Sequence, residues 1–400
     1  MRKYSVTLEL SNSTPILVGW YKPDKVDPYV LRATEIKGLW RWWARAFIGG
    51  ALYDLGYLNG ISTQSILRKP SRREVRAITK IIGEKLGLGM AGEAESMASR
   101  FSIYTMLDRP PRSIRYAPGQ PSDWQRVRLL TIRNPIEAYD RGGMYSLHIE
   151  WFDGGGWHPE TALKILLVAL QFSGVGKGSR RGLGSLDVLR VDGLPFPIPR
   201  SVEQLIKEAY RECKEIVEES RRELEGLERR DQDQLPPFPV VSSGQALGVK
   251  VTEMRIYQDV DLNKFIRIHN FFVRSERCRV LQGSPICNDP LRSQFLAWFL
   301  GLPREQRDTG YKIMAGDVHR RASPIHLAFH TGANMFGGGA YLAVFLSADW
   351  PKELEWTDGP GVTRSLTISY SDIVKAYQTF SMEFDNYLKG IGVSRVVQVW

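Results

Sequence analysis

Residues 4–10 alternate apolar and polar side chains and include β-branched Val6 and Thr7, a period of two that predicts a strand. A Pro-containing loop spans 11–27. From Thr34 the period lengthens, and Ile36, Leu39, Trp43 and Phe47 form the core face of a helix, with Trp40 assigned to packing as well. Short helical pieces with polar surfaces are predicted at 62–67, 72–86 and 92–98 and read as an insertion over about 50–100. Strand patterns return at 101–107, 127–133 and 145–152. The strongly apolar stretch 159–172 predicts a buried helix ending at Gly174, and 184–191 predicts a strand. Without the insertion the order is βα, ββ, αβ, that of a ferredoxin-like unit with helices on one face of an antiparallel sheet.

The second half repeats the plan. A strand is expected at 246–257 and a helix at 289–300 with Phe295, Trp298 and Phe299 on its apolar side. Strands at 323–330 and 340–347 flank a hairpin turn at 334–339, and a helix over 371–388 precedes a last strand over 393–400. The fold class is therefore α+β: a first ferredoxin-like domain over 1–200, a charged helix or linker over 201–235, and a second such domain over 236–400. The linker carries 11 Asp and Glu against 7 Lys and Arg over 201–233, and Pro236, Pro237 and Pro239 mark its end.

Charge changes this picture. Of a net +10, residues 1–200 hold 29 Lys and Arg against 18 Asp and Glu, whereas residues 201–400 hold 25 against 26. A basic surplus confined to one half is the footprint of a polyanion-binding surface, and an ion-paired, heat-adapted surface is the competing reading. Cys213, Cys278 and Cys287 are too few and scattered for a disulfide framework, and no C-x-x-C pair is present to hold zinc. With no signal-peptide pattern and no apolar run long enough to span a bilayer, a cytoplasmic protein is expected.

Two cationic motifs carry the candidate chemistry. Lys37, Arg41 and Arg45 recur at four-residue spacing on the Trp-rich helix, where stacked like charges repel unless an anion lies across them. Trp42 flanks them and could stack a base. Pairing of these arginines with carboxylates elsewhere in the fold is the alternative. The second motif is S-G-V-G-K-G-S-R-R-G-L-G-S-L over 173–186, with Gly176, Lys177, Gly178, Arg180 and Arg181 at its centre. Exposed N–H groups of a glycine loop form a concavity for phosphate oxygens, and the three cations add charge. It is not a nucleotide P-loop, because Gln171 and Gly178 stand where glycine and Ser or Thr are required, and because the loop follows a helix and precedes a strand. A tight structural connection is the alternative here too.

Together these segments resemble the RAMP superfamily of CRISPR-system proteins, and within it the family of subunit one of type III-B (Cmr) effector complexes. The resemblance rests on Thr14-Pro15, Gly19, Arg32, Ile36-Lys37-Gly38, Arg41-Trp42-Trp43 and Arg45-Ala46, and then on Gly176 to Leu186. Ser323-Pro324 before an apolar strand is similar to that family's second domain. The resemblance implies a non-catalytic, RNA-binding subunit, with crRNA, target RNA and other Cmr-complex proteins as partners and no cofactor. It places the subunit where the 3′ part of the crRNA and the 5′ part of the target lie.

The search for catalytic residues turns up little. His319, His326 and His330 form the densest group of the six histidines, but no carboxylate lies within 323–335 to complete a metal site, and no nucleophile accompanies His319. Arg320 and Arg321 beside it suit a second RNA or protein contact. Asp24 and Asp27 stand roughly where catalytic RAMP subunits carry an acid, which leaves an endoribonuclease as one alternative. A structural adaptor whose basic face meets an acidic protein is another.

Overall fold

The computed structural model describes residues 2–19, 25–91, 95–119, 122–229, 233–273, 279–281, 284–286, 290–306, 309–314, 318–358 and 362–400. In the first half, strand β1 (Lys3–Asn12) is followed by helix α1 (Ala33–Asp54) and, within the insertion, α2 (Arg72–Glu84). Strands β2 (Ser102–Arg109) and β3 (Met144–Phe152), helix α3 (Pro159–Phe172) and strand β4 (Leu186–Asp192) complete the unit. The sheet order β2-β3-β1-β4 is antiparallel throughout. This is the expected ferredoxin-like order. The alternation read from the sequence sets the register: Val6, Leu8 and Leu10 are buried and lie opposite Ile149, Leu147 and Tyr145, while Ser5, Thr7 and Glu9 face outward.

The second half has the same topology. Strand β5 (Thr252–Tyr257), helix α5 (Leu262–Val273), strands β6 (Ile325–His330) and β7 (Gly339–Phe345), helix α6 (Tyr370–Gly390) and strand β8 (Val396–Gln398) give the antiparallel order β6-β7-β5-β8. Its first helix is α5, not the predicted 289–300. There the chain forms only a four-residue helix at Pro290–Ser293 and a 3-10 turn at Ala297–Leu300. A third small sheet joins Arg304–Gln306, Thr309–Ile313, Glu353–Asp358 and Thr363–Thr367.

The insertion also differs from expectation. The predicted helix at 72–86 forms over Arg72–Glu84, started by a capping box between Ser71 and Glu74. Residues 62–67 form no helix; of the predicted piece at 92–98, residues 92–94 lie outside the described residues, and Ser96–Met97 pairs with Met90–Ala91 as strands. The expected strand at 127–133 is a helical turn at Gln125–Leu130, and a hairpin of Ser113–Tyr116 with Ile136–Tyr139 stands beside it.

Helix α4 (Val202–Glu219), with Ser201 as its N-cap, packs on α1 and α3 of the first half. All but the first two residues of α3 are buried, because it lies inside the molecule against β4 on one side and β6 and β7 on the other. Every residue of β6 and β7 is buried as well: α3, with Trp42 and Trp43 of α1, packs on them from the first half, and α5 packs on β6 through Phe265 and Phe329. The molecule is thus layered sheet, helices, sheet, helices. The seam between its halves is tied by polar contacts: His330 bridges Asp187 at 3.0 Å and the Gln171 carbonyl at 2.9 Å, and Asn334 bonds Val188 N–H and the Gln171 side chain.

Candidate nucleic-acid interface

The glycine-rich loop closes over the segment after β1. Gly184 N–H donates to the Pro15 carbonyl at 2.9 Å, Ser185 N–H to Thr14 Oγ1 at 2.9 Å and Lys177 N–H to the Leu17 carbonyl at 2.9 Å. Four loop glycines, Gly176, Gly178, Gly182 and Gly184, have positive φ, which an L side chain adopts only with strain. Between this loop and the N-terminus of α1 lies a cleft of about 400 Å³, lined by Leu17, Val18, Gly19, Arg32, Thr34, Glu35, Gly176 and Lys177. The Lys177 side chain lies over Gly19, where an added Cβ would sit 3.7 Å from Nζ.

Arg32 is the N-cap residue of α1 and gives the helix no side-chain cap. Its guanidinium instead holds the cleft wall, donating to the Gly19 carbonyl at 2.9 Å and pairing with Asp27. Glu35, in the first turn, accepts from Gly176 N–H with one oxygen, while the other is buried without a hydrogen-bond partner among the described residues. Burial pushes its carboxyl upward, opposed by the Gly176 N–H and by Arg32. The cleft therefore combines an uncapped helix N-terminus, a lysine, and a glycine N–H held by a carboxylate that its surroundings disfavour as an anion. Phosphate oxygens suit those donors.

Only part of the predicted site lines this cleft. Gly176 and Lys177 do, but the 3-10 turn Ser179–Arg181 carries the two arginines to the seam between the halves. Arg180 donates to the Ser323 carbonyl at 3.1 Å and lies 5.3 Å from the Trp42 ring centroid, while Arg181 donates to the Leu300 carbonyl and lies over Phe272. Gly178 packs against Leu183 and the stem of Arg126. Trp42, expected beside the cations as a platform for a base, belongs to the same seam: it stacks on His326 at 4.4 Å and meets Phe345 edge-on.

Two cations of the helix stripe make local contacts. Arg41 donates twice to the Leu88 carbonyl, at 2.9 and 2.6 Å, and Arg45 lies over Phe238. Lys37 is half-buried, and burial together with Arg41 lowers its pKa. Arg321 is interior rather than surface: it bonds Asp349 at 2.8 Å and Ser347 at 2.9 Å and lies 3.8 Å from the Trp350 ring centroid. Its neighbour Arg320 is exposed.

Asp27 is fully buried, bound by Arg32 and by Tyr29 N–H at 2.9 Å, so its carboxylate holds the loop in place. Asp24 lies outside the described residues. Among the described residues no group of three His, Cys, Asp or Glu is placed to hold a metal ion. No described helix is long and apolar enough to cross a membrane. Sequence reasoning assigned no binding role to Glu35 or Arg126, although Glu35 in the first turn of α1 was a readable sign of a helix N-terminus.

Residues 9–187 match the sequence model of the RAMP superfamily. No curated protein matches the chain by sequence. A chain of the type III-B Cmr-beta complex, solved by cryo-EM with cognate target RNA, is 13% identical and aligns over 96% of this chain and 100% of its own, with a TM-score of 0.53. Cmr1 from Pyrococcus furiosus, in its apo crystal structure, is 15% identical over 99% of both chains, with a TM-score of 0.47. The Cmr-beta chain shares the fold, including both ferredoxin-like halves, and the matched segment contains the Thr14-Pro15 turn, α1 and the glycine-rich loop. Residues 9–187, a little under half of the chain, thus carry the sequence pattern of the RAMP superfamily.

Proposed function

We propose that the protein is an RNA-binding subunit of a crRNA-guided type III-B CRISPR effector complex, acting in the cytoplasm without catalysing a reaction itself. In this reading it holds the 3′ region of the crRNA and the target RNA alongside other Cmr-complex proteins. One observation carries it: the residues that mark the superfamily at Thr14 to Gly19, at Arg32 and at Gly176-Lys177 converge on one cleft at the start of α1. Phosphates of a single strand would meet Lys177 and the first-turn N–H groups there, without reading bases. The fold shared with a chain of a target-RNA-bound Cmr-beta complex supports the same assignment.

RNA affinity measured against salt tests it. For a single strand the slope of log affinity against log salt is about −0.7 per phosphate contacted, so Lys177→Gln should shrink its magnitude by about 0.7. A slope unaffected by that substitution would remove the cleft from the RNA path. The binding of Asp27 by Arg32 and Tyr29 supports a non-catalytic role. RNA cleavage by the assembled complex that disappears when Asp24 or Asp27 of this chain becomes Asn would overturn it.

A further inference from the structure

The seam between the halves contains buried donors without acceptors. Among the described residues, Nη1 of Arg181, Nε of Arg321 and Nε2 of His326 are all buried and lack a hydrogen-bond partner. The Ser173 hydroxyl accepts from Trp43 Nε1–H at 3.0 Å and lies 2.9 Å from His326 Nδ1. The hydroxyl either donates to Nδ1 or accepts from it, so Nε2 of His326 is a donor in one tautomer and an acceptor in the other, whereas the two guanidinium nitrogens are donors in every state. Leaving a buried donor unmatched costs roughly 1–3 kcal/mol, so the two unmatched guanidinium nitrogens mark a missing acceptor.

Charge points the same way. Arg126, Arg180, Arg181, Arg304, Arg320 and Arg321 form a chain of mutually repelling neighbours, and Asp349, already bonded to Arg321, offsets part of their field at Arg180. Burial and then Arg321 push Arg180 down to about 10, with Asp349 opposing and Arg320 adding to the fall. Arg181 falls well below its usual range through burial, Arg304, Arg126 and Arg180. The cluster reaches the surface at Arg320, which is exposed, and passes inward through Arg126 and Arg180. Guanidinium forks match the geometry of a tetrahedral oxyanion, and a phosphate group supplies both the charge and several acceptor oxygens.

We infer that this seam is a phosphate-binding site, separate from the cleft at α1, in which Arg126, Arg180 and Arg181 of the first half and Arg320 of the second hold one phosphate group between them. The site does not rest on the RNA reading of the cleft, because phosphate alone suffices to probe it. The group belongs either to an RNA backbone or to a free phosphate.

The full-length chain, titrated with sodium phosphate against sodium chloride at matched ionic strength, should show a saturable rise in melting temperature and a heat of binding. Arg320→Gln alters an exposed side chain, so it should keep the wild-type melting temperature in chloride while phosphate affinity falls about tenfold. Arg126→Gln should weaken phosphate similarly, and Lys177→Gln should not. No phosphate-specific stabilisation of the wild type, or equal stabilisation of both arginine variants, overturns the site. With the site established, phosphate that competes with an RNA oligomer on the wild type but not on Arg320→Gln identifies the RNA backbone as the source. RNA affinity indifferent to phosphate identifies a free phosphate.

Discussion

Gly184 shows what the glycine loop requires of its residues. At φ +69° an added Cβ would lie 2.1 Å from the Val175 carbonyl oxygen, and at Gly174 it would lie 2.1 Å from that of Leu183. The two arms of the loop touch backbone to backbone, which lets the loop lie flat on Thr14 to Leu17. Gly184→Ala should therefore cost about 2–4 kcal/mol, through both strain and collision, in urea unfolding. A loss under about 0.5 kcal/mol, the range of an ordinary surface change, would mean that the arms are not in contact. The same residues show where sequence reasoning stopped. Lys177, Arg180 and Arg181 read as one cationic set because they share a loop. Left-handed Gly178 and Gly182 at either end of the 3-10 turn place Lys177 at the cleft and the arginines at the seam. Spacing reveals shared position along the chain, not which side of a loop a side chain takes.

Helix α1 makes the corresponding point for an element. Its apolar periodicity was legible, and Ile36, Trp40, Trp43 and Phe47 are all buried, although Leu39, assigned to the core, is only partly so. The helix runs on to Asp54 through Gly49 and Gly50, where the absence of side chains admits another segment. A Cβ on Gly50 would lie 1.6 Å from the Val241 carbonyl oxygen, and one on Gly49 would lie 2.7 Å from Phe238, while Val241 N–H donates to the Ala46 carbonyl at 2.9 Å. Gly50→Ala should cost about 3 kcal/mol or more and expose 236–245 to limited proteolysis. A variant as protease-resistant as the wild type would exclude this docking. In the second half, α5 was readable from Phe265, Ile268, His269 and Phe272, yet the aromatic run at Trp298-Phe299 drew the helix assignment instead. Those two rings are buried in a short turn against Trp350, so apolar density there reflects packing depth rather than helix length.

The whole molecule is held at the seam by groups that must stay neutral. His269 Nδ1–H donates to the Arg181 carbonyl at 2.6 Å, and its Nε2 accepts from Arg126 N–H at 3.3 Å. Burial, the largest cause, with Arg181 and Arg126 lowers it from 6.5 to about 4, and the Arg181 carbonyl opposes the fall. His326 is driven well below 6.5 by burial, Arg180 and Arg181. For a base whose folded pKa is depressed, the unfolded chain binds more protons between the two values, so stability falls as pH drops below 6.5 and levels off beneath about 4. His269 alone should cost about 2 kcal/mol at pH 5 relative to pH 7, and unfolding at pH 5 should take up about two protons with His326 included. Glu35, raised by burial, works in the opposite sense and offsets part of this. Urea unfolding at pH 7 and pH 5 measures the loss, and His269→Asn, which keeps an N–H for the Arg181 carbonyl, should reduce the proton uptake by about one. Stability independent of pH across that window would mean the seam is open to water. Phosphate bound among the arginines would counter their field on both imidazoles, so the acid loss should shrink when phosphate is present and shrink less in Arg320→Gln.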